Sequence, residues 1–142
     1  MNKRGIFVDT GIFTAFSMKR DPYHKNATKI VEQIVKGEYE PAVTSDYIYT
    51  ETLTLVLKRT KRCDIALNAV AIFSRGTSKK WLNIIKITSE LSETALEKFR
   101  SYCEDEMSFT DCTSLVILEK YGLGRIATFD QNFKGKCITV GI

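Results

Sequence analysis

Histidine is almost missing from this 142-residue chain, which carries one, His24. Its four cysteines, Cys63, Cys103, Cys112 and Cys137, include no C-x-x-C pair. That leaves little from which to build a His/Cys zinc site, which needs closely spaced thiolates and imidazoles. Free, mostly buried thiols in a reducing compartment are the expected state. Long apolar runs are lacking too, and no stretch approaches the roughly 20 apolar residues that span a bilayer. At the N-terminus, Lys3 and Arg4 precede only Ile6-Phe7-Val8 before Asp9 interrupts, too short for the apolar core of a signal peptide. A cytoplasmic protein without membrane association is therefore expected. There is no repeat, linker or low-complexity segment, so residues 1–142 are expected to form one domain of the commonest size.

What is present is ordinary in bulk: 44% hydrophobic and 27% charged residues, with a net charge of +4. The mild positive charge suits a nucleic-acid partner without requiring one. Ile6-Phe7-Val8 is a short apolar run ended by Asp9-Thr10-Gly11, which reads as a buried strand leaving a sheet at an acid. Ile12 to Met18 has helical spacing. Ala27, Ile30, Val31, Ile34 and Val35 lie on one helical face, closed by Gly37. Pro41-Ala42-Val43 is extended, and Thr44-Ser45-Asp46 offers caps for a helix through Glu51 to about Leu57. The basic run Lys58-Arg59-Thr60-Lys61-Arg62 interrupts the pattern. A helix bearing Ile65, Leu67, Ala69, Val70, Ile72 and Phe73 follows, ended by Gly76. Trp81 to Ile87 reads as a strand, Ser92 to Tyr102 as a helix with Ala95, Leu96 and Phe99 on one face. Ser108 caps a helix that stops at Gly122. Ile126 to Phe129 and Cys137 to Val140 read as strands. Strands alternating with helices predict an α/β fold with a mostly parallel sheet covered on both faces.

Four acids stand out by position. Asp9 and Asp130 each follow a strand, where open α/β sheets gather their ligands. Each also suits a helix cap. Ser108-Phe109-Thr110-Asp111 fits a capping box, in which the acid reaches back to the cap residue. Glu51 lies inside a helix and, taken alone, reads as solvent-facing. Together, carboxylates from separate elements can surround a hard cation such as Mg²⁺ or Mn²⁺, which prefers oxygen donors and retains water. Crowding them without metal is unfavourable: two unit charges about 4 Å apart repel by roughly 4 kcal/mol at an effective dielectric near 20. An empty site should therefore raise some carboxyl pKa values.

Ile6-Phe7-Val8-Asp9-Thr10, Tyr49-Thr50-Glu51, Ser108-Phe109-Thr110-Asp111-Cys112 and Ala127-Thr128-Phe129-Asp130-x-x-Phe133 resemble the successive acidic motifs of PIN-domain proteins. The chain is similar in particular to VapC-like toxins, and His24-x-x-Ala27 resembles a frequent feature of their second helix. The resemblance spans essentially the whole chain. It implies a three-layer α/β/α fold on a five-stranded parallel sheet, with Mg²⁺- or Mn²⁺-dependent cleavage of RNA. It further implies a homodimer, often with a partner antitoxin. By motif, Asp9, Glu51 and Asp111 match the family's core acids and Asp130 its less uniform fourth. Thr110 matches a hydroxyl residue that commonly precedes the third acid, and Thr10 follows the first as a supporting residue.

Other residues carry weaker signals. Lys58, Arg59, Lys61 and Arg62 suit RNA phosphates through counterion release, or simply a solvated loop. Tyr47, Tyr49, Phe109 and Phe129 suit base stacking, although core packing is the expectation for most. His24 is expected to be structural or exposed. Two rival functions remain: a phosphatase of the haloacid-dehalogenase type, which wants an acid where Gly11 stands, and a non-catalytic RNA- or protein-binding module. Within the nuclease reading, a stand-alone RNA-processing enzyme is the alternative to a toxin.

Overall fold

The computed structural model describes residues 3–142. Five strands form one all-parallel sheet in the order β3-β2-β1-β4-β5. They are β1 (Ile6–Val8), β2 (Ala42–Ser45), β3 (Asn83–Ile85), β4 (Arg125–Ala127) and β5 (Thr139–Val140). Between β1 and β2 lie α1 (Thr10–Ser17) and α2 (His24–Val35), and between β2 and β3 lie α3 (Asp46–Thr60) and α4 (Cys63–Ser78). The return to β4 passes through α5 (Ser89–Tyr102) and α6 (Phe109–Lys120). The chain thus walks outward from β1 to β3, then crosses back to the other side of β1. This α/β architecture puts a topological switch point between β1 and β4, where the carboxyl ends of the two strands diverge and leave a crevice.

The central strands are apolar because both faces are covered. Ile6, Phe7, Val8, Ile126 and Ala127 are buried, as are Val43 and Thr44 on β2. Helices α1 to α4 pack on one another, and α5 packs on α6. In α2, Ala27, Ile30, Val31 and Ile34 are buried at helical spacing. In α3 the inward stripe is Ile48, Thr52 and Val56. Helix α6 is buried continuously from Cys112 to Ile117, as the innermost helix should be.

Several boundaries differ from the sequence expectation. Helix α3 runs through Lys58 and Arg59 to Thr60, because those basic side chains point to solvent and interrupt only the apolar pattern. Gly76 does not end α4, which continues to Ser78; the glycine is a packing site instead. A Cβ there would lie 2.9 Å from Leu82 Cβ and 3.2 Å from the Trp81 ring. Helix α5 begins at Ser89, with the Thr88 hydroxyl accepting the Leu91 N–H. The expected strand over 81–87 is paired only at Asn83–Ile85, and Phe129 lies beyond the end of β4. Val35, Leu67 and Leu96 sit one step off their buried stripes and are exposed. Among the described residues, no helix is long and apolar enough to cross a membrane.

Candidate active site

Asp9 leaves β1 at the position that caps α1, with extended backbone angles, yet its carboxylate makes no cap hydrogen bond. It is buried and turned towards β4, where the Thr128 hydroxyl donates to Asp9 Oδ2 at 2.7 Å. The same hydroxyl accepts the Asp130 N–H at 3.0 Å. With its acceptor side occupied, the hydroxyl proton of Thr128 is directed at Asp9. Thr128 carried no signal in the sequence beyond its place before an acid.

Asp130 caps the short 3₁₀ turn Gln131–Phe133, its Oδ1 accepting the Asn132 N–H at 2.9 Å. Asp111 completes the capping box expected from sequence. Ser108 N–H donates to Asp111 Oδ2, and Asp111 N–H donates to Ser108 Oγ, both at 3.0 Å. The cap and the site are not rival roles, because the cap engages Asp111 Oδ2 and, among the described residues, no hydrogen bond occupies Oδ1. Glu51, in the second turn of α3, is half-buried rather than solvent-facing.

The four acids share one electrostatic field. Burial pushes the Asp9 carboxyl up to about 7; the Thr128 hydrogen bond opposes this, and the charges of Asp111 and Glu51 add to it. Glu51 is raised by burial and by Asp111, with the hydroxyls of Thr10 and Thr110 partly offsetting. Asp111 is raised by burial, partly offset by Ser108, and further raised by Asp130. Among the described residues, the buried Thr10 Oγ1 completes no hydrogen bond of ordinary geometry and meets Glu51 only in a looser one. An orphaned buried hydroxyl beside a cluster of raised carboxyls marks a site short of positive charge or of water.

Hard oxygen donors of this kind fit Mg²⁺ or Mn²⁺ in their chemistry. The fit is open rather than closed. Among the described residues, no three His, Cys, Asp or Glu side chains converge closely enough to ligate one ion outright. That spacing suits a cation that keeps several waters and takes only one or two carboxylates directly.

The remaining candidates lie elsewhere. Lys58 and Arg59 occupy the last turn of α3, Lys61 is its left-handed cap, and Arg62 precedes α4. Lys58 is seven residues from Glu51, about 10 Å along a helix rising 1.5 Å per residue. Arg62 pairs with Asp64 on the exposed surface. His24 is structural: its Nδ1–H donates to the Ala15 carbonyl at 2.8 Å. Tyr49 packs edge-on against Phe73 and Phe109 against Phe99, so both belong to the core. Phe129 instead stacks on Tyr23. A cavity of about 300 Å³ lined by Lys36, Pro41, Lys79 and Trp81 sits at the amino ends of β2 and β3 and includes none of the acids.

Comparison with known proteins gives the same architecture. A VapC ribonuclease of Archaeoglobus fulgidus is 32% identical over 127 residues, 89% of this chain and 77% of that one. The 23S rRNA-specific endonuclease VapC20 of Mycobacterium tuberculosis is 28% identical over 129 residues, 90% of this chain and 91% of its own. The crystal structure of Mycobacterium tuberculosis VapC20, a sarcin-ricin loop cleaving toxin, matches with a TM-score of 0.79 over 97% of this chain and 98% of that one. VapBC2 of Rickettsia felis, solved on a fragment of promoter DNA, shares the fold at a TM-score of 0.65 and 15% identity, with 95% and 96% of the two chains covered. The family model for the PIN domain matches residues 6–138, and the chain belongs to the PIN-domain family.

Proposed function

We propose that this protein is a Mg²⁺- or Mn²⁺-dependent endoribonuclease and the toxin of a toxin–antitoxin pair. One observation carries the chemistry: around the switch point the carboxyls of Asp9, Glu51 and Asp111, from three separate elements, are raised by burial and by neighbouring acidic charge, that of Asp130 on Asp111 included. A fold does not hold such repulsion for stability. The VapC relatives, named as a ribonuclease and a 23S rRNA endonuclease, support RNA as the substrate. Solved VapBC2 and other toxin–antitoxin assemblies of the same fold support an antitoxin partner, and a homodimer follows from the family resemblance.

In this reading Asp9, Glu51 and Asp111 hold the cation directly or through water, and Asp130 completes the negative field. A cation held there would supply Lewis acidity, activating a water and offsetting negative charge on the phosphate. Thr10 and Thr110 partly offset the raised proton affinity of Glu51, and Thr128 partly offsets that of Asp9. Lys58, Arg59, Lys61 and Arg62 draw the RNA backbone in by counterion release. Because the neighbouring 2′-hydroxyl is not the nucleophile, the products carry 5′-phosphate and 3′-hydroxyl ends.

The test is incubation of the purified protein with structured RNA in Mn²⁺ or in chelator. Cleavage lost in chelator, in Asp9→Asn and in Glu51→Gln supports the enzyme, and 2′,3′-cyclic phosphate ends would overturn the mechanism. The second reading is a module that binds RNA without cutting it. Retention of RNA without cleavage across a panel that includes ribosomal RNA would establish it.

A further inference from the structure

Tyr23 lies in the connection between α1 and α2 and is 47% exposed. Its ring stacks on Phe129, with centroids 4.5 Å apart and planes 15° from parallel. Phe129 sits between Thr128, which donates to Asp9, and Asp130. A Cβ at Gly11 would meet the Phe129 ring at 3.6 Å, and one at Gly141 would meet it at 3.3 Å. The ring therefore lies close to two glycines, one of them two residues beyond Asp9. Tyr23 is held from its own side. Its N–H donates to Asp21 Oδ1 at 2.8 Å, the His24 N–H donates to the Asp21 carbonyl at 3.0 Å, and His24 Nδ1–H anchors the loop to Ala15. Lys19, Arg20 and Lys25 flank this aromatic on the same exposed segment.

A half-exposed tyrosine stacked on a core-packed phenylalanine beside Asp130, on a segment that also carries exposed cations, has the features of a single-stranded nucleic-acid platform: a flat π-face for a base and positive charge for its phosphates. Core packing would have turned Tyr23 inward, as it does Tyr49. We propose that Tyr23, backed by Phe129, stacks on a base of the RNA next to the phosphate presented to the acids. The position of that base beside the scissile phosphate rests on the nuclease reading; base stacking itself can be tested without cleavage.

The probe is a single-stranded RNA oligonucleotide carrying one 2-aminopurine, whose fluorescence is quenched on stacking, scanned through successive positions. In the Asp9→Asn background with Mg²⁺, binding should quench the probe at one position. Adding Tyr23→Leu, which keeps an apolar contact with Phe129, should abolish that quench and weaken binding about 5- to 100-fold. Tyr23→Phe should retain both. With Asp9 intact, Tyr23→Leu should raise KM and leave kcat within a few-fold. The proposal is overturned if Tyr23→Leu binds and quenches as its parent does, or if the parent never quenches the probe at any position. Quenching that depends on Tyr23 in a protein that cuts no RNA would sink the nuclease reading alone. Cleavage with KM indifferent to Tyr23→Leu would sink the stacking alone.

Discussion

Thr128 and Asp9 lie 119 positions apart in the chain and are joined by a 2.7 Å hydrogen bond at the switch point of the sheet. The bond runs from hydroxyl to carboxylate, so it stabilises the ionised form of an acid that burial drives towards neutrality. It also ties the acid after β1 to the acid after β4, since Thr128 holds the Asp130 N–H on its other side.

Removing that donor should cost activity without emptying the site of charge. A hydrogen bond to a charged group contributes about 1.5–3 kcal/mol, so Thr128→Val should reduce metal-dependent cleavage roughly 10- to 100-fold near neutral pH. The acid limb of the pH–rate profile should move to higher pH, because Asp9 then ionises later. Thr128→Ser, which keeps the hydroxyl, should restore both rate and profile. A Thr128→Val protein with an unmoved profile would show that the hydroxyl only packs.

The repulsion among the acids should appear as a pH-dependent loss of stability in the metal-free protein. Asp9 titrates at about 7 when folded against 3.8 unfolded, so between those values the native state binds more protons. Stability then falls as pH rises through this window and levels off above it. At about 1.36 kcal/mol per unit, Asp9 alone accounts for up to about 4 kcal/mol. Glu51 and Asp111, also raised, act in the same direction. Urea denaturation in EDTA should show Asp9→Asn matching wild type near pH 3, below both values, and exceeding it near pH 8. Mn²⁺ at pH 8 should raise the Tm of wild type and do little for Asp9→Asn. Equal stability of the two proteins at pH 8 would mean that Asp9 carries no such strain.

The strand ending at Asp9, the four-residue beat of α2 and the Ser108 capping box were legible in the sequence because each is a local pattern with a local cause. The closeness of Asp9 to Thr128 was not, since no local rule links residues so far apart. Tyr23 was hidden for a related reason. Its neighbours Asp21, Pro22 and His24 announce a turn, but only the folded chain brings Phe129 beneath its ring. Gly76 shows the opposite error, in which a local rule was followed where tertiary packing decides. A glycine near the end of an apolar helix suggests a stop, yet α4 carries on because Leu82 and Trp81 occupy the space a side chain would need.

That packing makes Gly76→Ala a sharp probe. Alanine is the better helix former, so a glycine inside α4 with open space beside it would gain stability on replacement. Here the new methyl would press on Leu82 and Trp81 at 2.9 and 3.2 Å. Overpacking should outweigh propensity and destabilise the protein by about 1–3 kcal/mol. In urea the midpoint should drop with the slope unchanged. The substitution is remote from the acids, so cleavage per folded molecule should stay at the wild-type level. A stabilised Gly76→Ala protein would show that Leu82 and Trp81 yield to the methyl and that packing does not require glycine here.

Ser108 offers a way to separate the two duties of Asp111. Its hydroxyl accepts the Asp111 N–H, while its own N–H donates to Asp111 Oδ2. Ser108→Ala removes the first bond and leaves the second. The loss of a cap should cost about 1 kcal/mol of stability. Cleavage should fall by less than tenfold, because the backbone donor still orients the carboxylate. Asp111→Asn keeps the shape but discards the charge. It should abolish cleavage and, without metal near pH 8, leave the fold no less stable, since repulsion with Glu51 and Asp130 is relieved. Thermal melts in EDTA beside an RNA cleavage assay read both quantities on the same samples. If Asp111→Asn instead lost stability as Ser108→Ala does and still cut RNA, the carboxylate would be a helix cap and nothing more.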